Sequence, residues 1–175
     1  MENLKIRKMS VLNVAVLREI GVQTFVETFA SYNTPENMQN YIDSSFSIEH
    51  LKKELNEPNS EFYVAMINDE VCGYLKINFA AAQTEINDKN SLEIERIYVL
   101  TQFQGKQIGQ ALFQKAKEVA HKANANYIWL GVWEKNTNAL NFYKKNGFVE
   151  FDKHIFKLGD DLQTDILMRL NLKAE

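Results

Sequence analysis

The chain reads as an α/β protein, a mixed sheet with helices on both faces. Three observations carry that reading. Across the second half, strand-like and helix-like segments alternate as strand–helix–strand–helix–strand. Residues 127–133 form an unbroken apolar run, as a strand covered on both faces requires. Earlier, two β-prone runs, 61–67 and 70–79, meet at Asn68-Asp69, a pair that suits a hairpin turn, although Asn-Gly would be the stronger signal.

Residues 4–9 alternate apolar and basic side chains and predict a short first strand. Over 11–30, Val14, Leu17, Ile20, Val22, Phe25, Val26 and Phe29 recur at helical spacing. Asn33-Thr34-Pro35-Glu36 marks a second helix start, with proline in the first turn, where a missing N–H is tolerated. A helix over 47–56 stops near Pro58. It lacks a capping box, because position 50 is His rather than an acid. After a polar loop (83–90), 92–100 reads as a strand. The helix at 107–123 follows, with a stripe of Ile108, Ala111, Leu112, Ala116, Val119 and Ala123. Asn136 caps a further helix that ends at Asn146-Gly147, the glycine supplying a left-handed residue. Residues 148–158 and 164–170 close the chain as two strands.

The 175 residues are 45% apolar and contain 7 Gly and 2 Pro, which predicts one domain over 1–175 with a core of its own and no linker. The 20 Lys and Arg against 23 Asp and Glu give a net charge of −3, which argues against non-specific nucleic-acid binding. The single cysteine, Cys72, excludes an internal disulfide and any multi-cysteine zinc site, and is expected to pack in the core. His50, His121 and His154 are far apart and form no metal motif. No apolar run approaches the ~20 residues of a membrane span, and the first residues lack the pattern of a signal peptide. A cytoplasmic location is expected.

The most informative stretch is 92–112. A β-type segment enters the polar turn Gln104-Gly105-Lys106-Gln107-Ile108-Gly109-Gln110 and passes directly into an amphipathic helix. Such a turn exposes the first N–H groups of the helix, where the dipole favours negative charge. Glycines at 105 and 109 permit unusual backbone and close approach, and Lys106 adds a positive charge. This spacing suits a phosphate cradle, and equally a plain strand–turn–helix joint. It is neither a P-loop nor a dinucleotide fingerprint.

These residues resemble motif A of the GCN5-related N-acetyltransferases (GNAT), Gln/Arg-x-x-Gly-x-Gly/Ala. Here the pattern is Gln104-x-x-Gln107-x-Gly109, with Gln107 where the middle glycine stands. A backbone cradle survives that change if residue 107 keeps helical dihedrals. Motif B of the family is matched in full by Asn136-Thr137-Asn138-Ala139-Leu140-Asn141-Phe142-Tyr143-Lys144-Lys145-Asn146-Gly147-Phe148. Residues 32–37, 128–136 and 159–165 further resemble bacterial Pai-type spermidine/spermine acetyltransferases. The resemblance implies a GNAT fold, a central, mostly antiparallel sheet of about seven strands flanked by about four helices. It also implies acetyl-CoA as cofactor, CoA as product, and a homodimer.

Acetyl transfer to an amine requires removal of a proton, because an alkylammonium has a pKa near 10.4 and only about one in 10³ is neutral at pH 7. The resemblance points to Glu95 as base, with Glu93 on the same strand face as the second candidate. An ion pair with Arg96 is the competing role for Glu95. For the oxyanion, a bulged strand would present a backbone N–H of Ile97, Tyr98 or Val99. Tyr143 is the family's general acid toward the leaving thiolate. The expected cofactor contacts are residues 104–110 together with Asn136, Thr137, Asn138, Ala139, Tyr143 and Lys145. On the acceptor side, the stretch between Arg18 and Lys52 has five carboxylates (Glu19, Glu27, Glu36, Asp43, Glu49) and no Lys or Arg, and it predicts an acidic wall. Glu27, Tyr32, Glu93 and Trp133 are the expected substrate contacts, with Asp160, Asp161 and Asp165 extending the acidic rim and His154 near the same cleft. The reading is an N-acetyltransferase acting on a polyamine or similar small polycation by direct attack. An aminoglycoside, a protein N-terminus or a lysine is the alternative acceptor, and a non-catalytic acyl-CoA-binding regulator the alternative class.

Overall fold

The computed structural model of the chain describes residues 3–159 and 161–172. Seven strands form one sheet: β1 (Leu4–Lys8), β2 (Ser60–Ile67), β3 (Glu70–Phe79), β4 (Ser91–Val99), β5 (Tyr127–Trp133), β6 (Val149–Leu158) and β7 (Asp161–Asn171). Their order is β1-β2-β3-β4-β5-β7-β6. Every neighbouring pair is antiparallel except β4 and β5. Five α-helices are present among the described residues, one more than expected: α1 (Val14–Phe29), α2 (Pro35–Ser45), α3 (Ile48–Asn56), α4 (Ile108–Lys122) and α5 (Thr137–Lys145).

Local signals set most boundaries. At the β2–β3 turn, Asn68 and Asp69 both take positive φ (50° and 66°), the backbone of a type I′ turn, so Asn-Asp suffices without glycine. The Thr34 hydroxyl accepts from the Asn37 N–H at 3.2 Å and starts α2 with Pro35 in the first turn. Ser47 caps α3 by accepting from the His50 N–H at 3.2 Å, with no reciprocal acid. The helix expected over 11–30 is divided instead, because the 3₁₀ turns Val11–Asn13 and Ala30–Tyr32 flank α1. The strand expected from 164 begins at Asp161, so β6 and β7 pair along a longer hairpin.

The helices form two groups. α1 and α3 pack on each other and on β3 and β2, while α4 lies across β1–β5. Both groups cover β2 and β3, so they take opposite faces of the sheet. Leu17, Ile20 and Phe25 of α1, Leu51 of α3, and Ile108, Leu112, Phe113 and Ala116 of α4 are buried against it. Cys72 on β3 is wholly buried, with its thiol donating to the Ala65 carbonyl at 3.2 Å.

Two irregularities open the sheet. β4 and β5 pair only through Ser91–Glu93 against Tyr127–Trp129 and then part. On its other side β4 pairs with β3, but the register shifts between Lys76↔Arg96 and Ile77↔Ile94, which leaves Glu95 as a bulge. A cleft of about 1220 Å³ occupies the gap. Among the described residues, no helix is long and apolar enough to cross a membrane.

Candidate active site

One wall of the cleft is the turn from β4 into α4. The first helical bond of α4 runs from the Ala111 N–H to the Gln107 carbonyl at 3.0 Å, leaving the amides of Ile108, Gly109 and Gln110 without a helical acceptor. These residues, with Gln104, Gly105 and Gln107, line the cleft. A Cβ on Gly105 (φ +77°) would meet nothing within 4 Å, and one on Gly109 would meet only Val99 Cγ2 at 3.9 Å. Packing therefore does not require glycine at 109, although a helical glycine costs roughly 0.5–1 kcal/mol against alanine. Open space beside bare backbone, with unclaimed amides at a helix N-terminus, fits a phosphate or diphosphate group.

Gln107 departs from expectation. It does not keep right-handed helical dihedrals but sits in the left-handed region at φ 59°, ψ 15°. That conformation costs a non-glycine residue on the order of 1 kcal/mol, and it gives a physical reason for the glycine at this place in the motif. Lys106 also differs: its ammonium lies 4.9 Å from the Phe103 ring centroid, and neither it nor Thr137 lines the cleft. Gln104 donates through Nε2 to the Val99 carbonyl at 3.3 Å, and Gln110 through Nε2 to Asn146 Oδ1 at 2.9 Å, tying α4 to the end of α5.

The three backbone amides proposed for the oxyanion are not equivalent. The Leu100 N–H donates to the Cys72 carbonyl at 3.0 Å. By antiparallel alternation, Tyr98 is then ladder-bonded to Tyr74, while Ile97 and Val99 turn their amides toward the gap left by β5. The splay of the strands exposes them. The bulge lies upstream at Glu95 rather than at 97–99.

Across the gap, α5 begins where the Asn136 side chain accepts from the Ala139 N–H at 3.1 Å. Asn136, Asn138, Ala139, Phe142, Tyr143 and Lys145 line the cleft, whereas Lys144 turns to Glu150 at 2.9 Å. Tyr143 is buried between Phe142 and Phe148. Its hydroxyl has no hydrogen-bond partner among the described residues, and burial raises its pKa, so the phenol keeps its proton.

The expected bases are heavily engaged. Glu95 lines the cleft, yet Oε2 lies 2.5 Å from Lys76 Nζ and accepts from Asn78 Nδ2 at 2.6 Å, while Oε1 is 3.1 Å from Arg96. Glu54 of α3 completes a buried four-charge cluster with Lys76 (2.5 Å) and Arg96 (3.0 Å). Burial alone would raise the Glu95 carboxyl, but Arg96 and Lys76 outweigh it and hold the group below the usual carboxylate range. Low proton affinity is the opposite of what a base needs, so the ion-pair role fits Glu95 better than the expected one. Glu93 is 3% exposed and pushed upward by burial. Its oxygens accept from the Thr84 N–H (2.9 Å), the Thr84 hydroxyl (2.5 Å) and Asn78 Nδ2 (3.0 Å), so it reads as a structural acid.

The acidic wall expected from the first helices is absent from the cleft. None of Glu19, Glu27, Glu36, Asp43 and Glu49 lines it; α1 and α2 contribute Thr24, Phe25, Thr28, Phe29 and Tyr41 instead. Glu27 accepts from the Thr101 N–H and hydroxyl at 2.8 and 2.9 Å, and Glu19 and Asp43 border a separate shallow groove. Tyr32 is 58% exposed and meets Trp133 edge-on at 4.8 Å, outside the cleft lining, whereas Trp133 lines it. Asp160 and the side chain of Asp161 lie outside the described residues. Besides Glu93 and Glu95, the carboxylates that line the cleft are Asp165 of β7 and Glu85 of the β3–β4 loop, with His154 of β6 beside them.

A splayed sheet, an amide cradle and an opposed buried tyrosine can be set beside known proteins. Residues 19–148 match the model of the acetyltransferase (GNAT) family. The chain belongs to the GNAT family. It is an N-acetyltransferase, and acetyl-CoA is the acetyl donor of the family. This GNAT enzyme is 40% identical over 169 residues to an uncharacterized N-acetyltransferase of Lactobacillus delbrueckii subsp. lactis, covering 97% of this chain and 98% of the relative. It is 33% identical over 134 residues to an N-alpha-acetyltransferase of Sulfurisphaera tokodaii, covering 73% and 75%. A crystal structure of the PaiA N-acetyltransferase of Thermoplasma acidophilum in complex with coenzyme A superimposes with a TM-score of 0.80 at 24% identity, over 97% and 99% of the two chains.

Glu85 is an acidic cleft residue that sequence reasoning missed. It stands in an aperiodic polar loop, and only the packing of that loop beside β6, with Glu85 Oε1 3.0 Å from His154 Nδ1, brings it to the site.

Proposed function

We propose that this GNAT enzyme acetylates a primary amine of a polyamine, spermidine or spermine, or of a similar small polycation, by direct attack of the amine on the thioester. The observation that carries the reading is that two carboxylates, Asp165, the cross-strand partner of Trp133, and Glu85, which meets His154, line the same cleft, a combination that attracts an ammonium group. A spermidine N(1)-acetyltransferase of Thermoplasma acidophilum, 25% identical over 150 residues (83% of this chain, 88% of the relative), adds support.

When bound, the coenzyme supplies an acetyl group activated as a thioester. The amides of Ile108, Gly109 and Gln110 hold its diphosphate, with Gln104, Gly105 and Gln107 shaping the turn. Asn136, Asn138, Ala139 and Lys145 flank the arm that carries the acetyl group. The amide of Ile97 or Val99 donates to the carbonyl oxygen as negative charge grows there. The Tyr143 phenol, kept protonated by burial, gives its proton to the departing sulfur.

The identity to an N-alpha-acetyltransferase favours a second reading, a peptide N-terminus as acceptor. A panel assay of free-CoA release separates the two. Turnover of spermidine and spermine with none of N-terminal peptides supports the polyamine reading; the reverse pattern replaces it.

A further inference from the structure

One carboxylate in the cleft differs from the others. Glu93 and Glu95 have their oxygens occupied by donors, as described above. Asp165 is half-buried, lines the cleft and has neither a hydrogen bond nor an ion pair among the described residues. Its cross-strand partners are His154 on β6 and Trp133 on β5. Alternation along β5 puts Gly131 on the same face as Trp133, and alternation along β7 puts Leu167 on the same face as Asp165. A Cβ on Gly131 would lie 3.4 Å from Leu167 Cδ2 and 3.7 Å from Asp165 Oδ2, both ordinary contacts. The fold therefore has room for alanine at 131. A glycine inside a strand weakens it and marks a place where something approaches the backbone closely. Here that bare backbone faces the cleft beside a carboxylate that accepts no hydrogen bond from the described residues.

We propose that Asp165 receives the acceptor ammonium, with the amine seated against the backbone of Gly131. An N–H bond of the ammonium breaks, an O–H bond forms on an Asp165 carboxylate oxygen, and the nitrogen keeps the electron pair with which it attacks. This assignment rests on the acetyl-transfer reading above and gives it the base that Glu95, tied to two cations, does not provide.

Burial pushes the Asp165 carboxyl up to about 6, with His154 drawing it down and Glu85 adding to the rise. β5 contributes Gly131 and Trp133 to this corner, neither titratable, so His154 and Glu85 set the titration. A base must be ionised to act. Activity is present above about pH 6 and is lost as the pH falls through that value.

The test is kcat/KM against pH, using the best amine of the panel, for the wild type, Asp165→Asn, Glu85→Gln and Gly131→Ala. Coenzyme A affinity by calorimetry and thermal unfolding are measured alongside. The wild type should show an acid limb near pH 6. Asp165→Asn should lose that limb and about a hundredfold in kcat/KM, the scale of a positioned base. Its coenzyme A affinity should be unchanged. Its Tm should rise at pH 8 but not at pH 4, because a carboxyl with a raised folded-state pKa costs stability only when ionised. Glu85→Gln should move the limb to lower pH, and Gly131→Ala should raise the KM for the amine alone. Wild-type rate and limb in Asp165→Asn would overturn the assignment and leave acetyl transfer standing. A wild type that acetylates no amine overturns both.

Discussion

The two halves of the cleft are made differently. The proposed acyl half is a contiguous stretch of backbone, 104–110, which leaves free amides at the start of α4. The proposed amine half takes side chains from β5, β6, β7 and the β3–β4 loop, residues far apart in the chain. Backbone amides are nearly indifferent to side-chain identity, so the first half keeps its amides with Gln107 where the motif has glycine, at the cost of one left-handed non-glycine residue. The second half is built from individual side chains, so under the proposed reading its substitutions should alter the acceptor side while sparing coenzyme A affinity.

The strongest way to break this comparison is to fill the cradle. Gly109→Leu is the variant to use, because a Cβ at 109 meets only Val99 Cγ2 at 3.9 Å, and thermal unfolding checks that the helix is kept. It should weaken coenzyme A binding by about a hundredfold, the upper range for a side chain forced into occupied space. Calorimetry reads the effect, and unaltered affinity would remove the cradle from its role. Tyr143→Phe should lower turnover by about tenfold or more with coenzyme A affinity unchanged, since it deletes the hydroxyl and keeps the ring. Equal turnover in steady-state assays would refute the phenol as acid. The smallest effect sharpens the contrast: Gln107→Gly should stabilise the fold by about 1 kcal/mol by relieving a left-handed residue. Urea unfolding measures that gain, and coenzyme A affinity should hardly move.

What could be read from the sequence follows the same division. Hairpin, helix caps and the turn into α4 rest on neighbours in the chain, so Asn68-Asp69, Thr34-Pro35 and Gln104–Gln110 are legible as local structure. The parting of β4 from β5 depends on which strands pair, and no local pattern encodes it. Glu95 shows the consequence. Its position before Ile97-Tyr98-Val99 suggests a base, but Lys76 reaches it from β3 and joins the adjacent Arg96 in neutralising it, while Glu54 of α3 balances the two cations. Glu27 and its neighbours suggested an acidic wall because they are close in sequence, yet helix geometry turns them away from the cleft. Asp165 was noted only as part of a rim, because its lack of partners is a property of the folded sheet.

Cys72 has a practical consequence for every experiment above. The single thiol of the chain is wholly buried, bonded to the Ala65 carbonyl, and pushed up to about 11 chiefly by burial. Reactive thiolate at neutral pH is therefore negligible on the polypeptide. A chromogenic disulfide reagent can sit in the reaction mixture throughout and report each liberated coenzyme sulfhydryl as it forms, with no background from the catalyst and no inactivation of it.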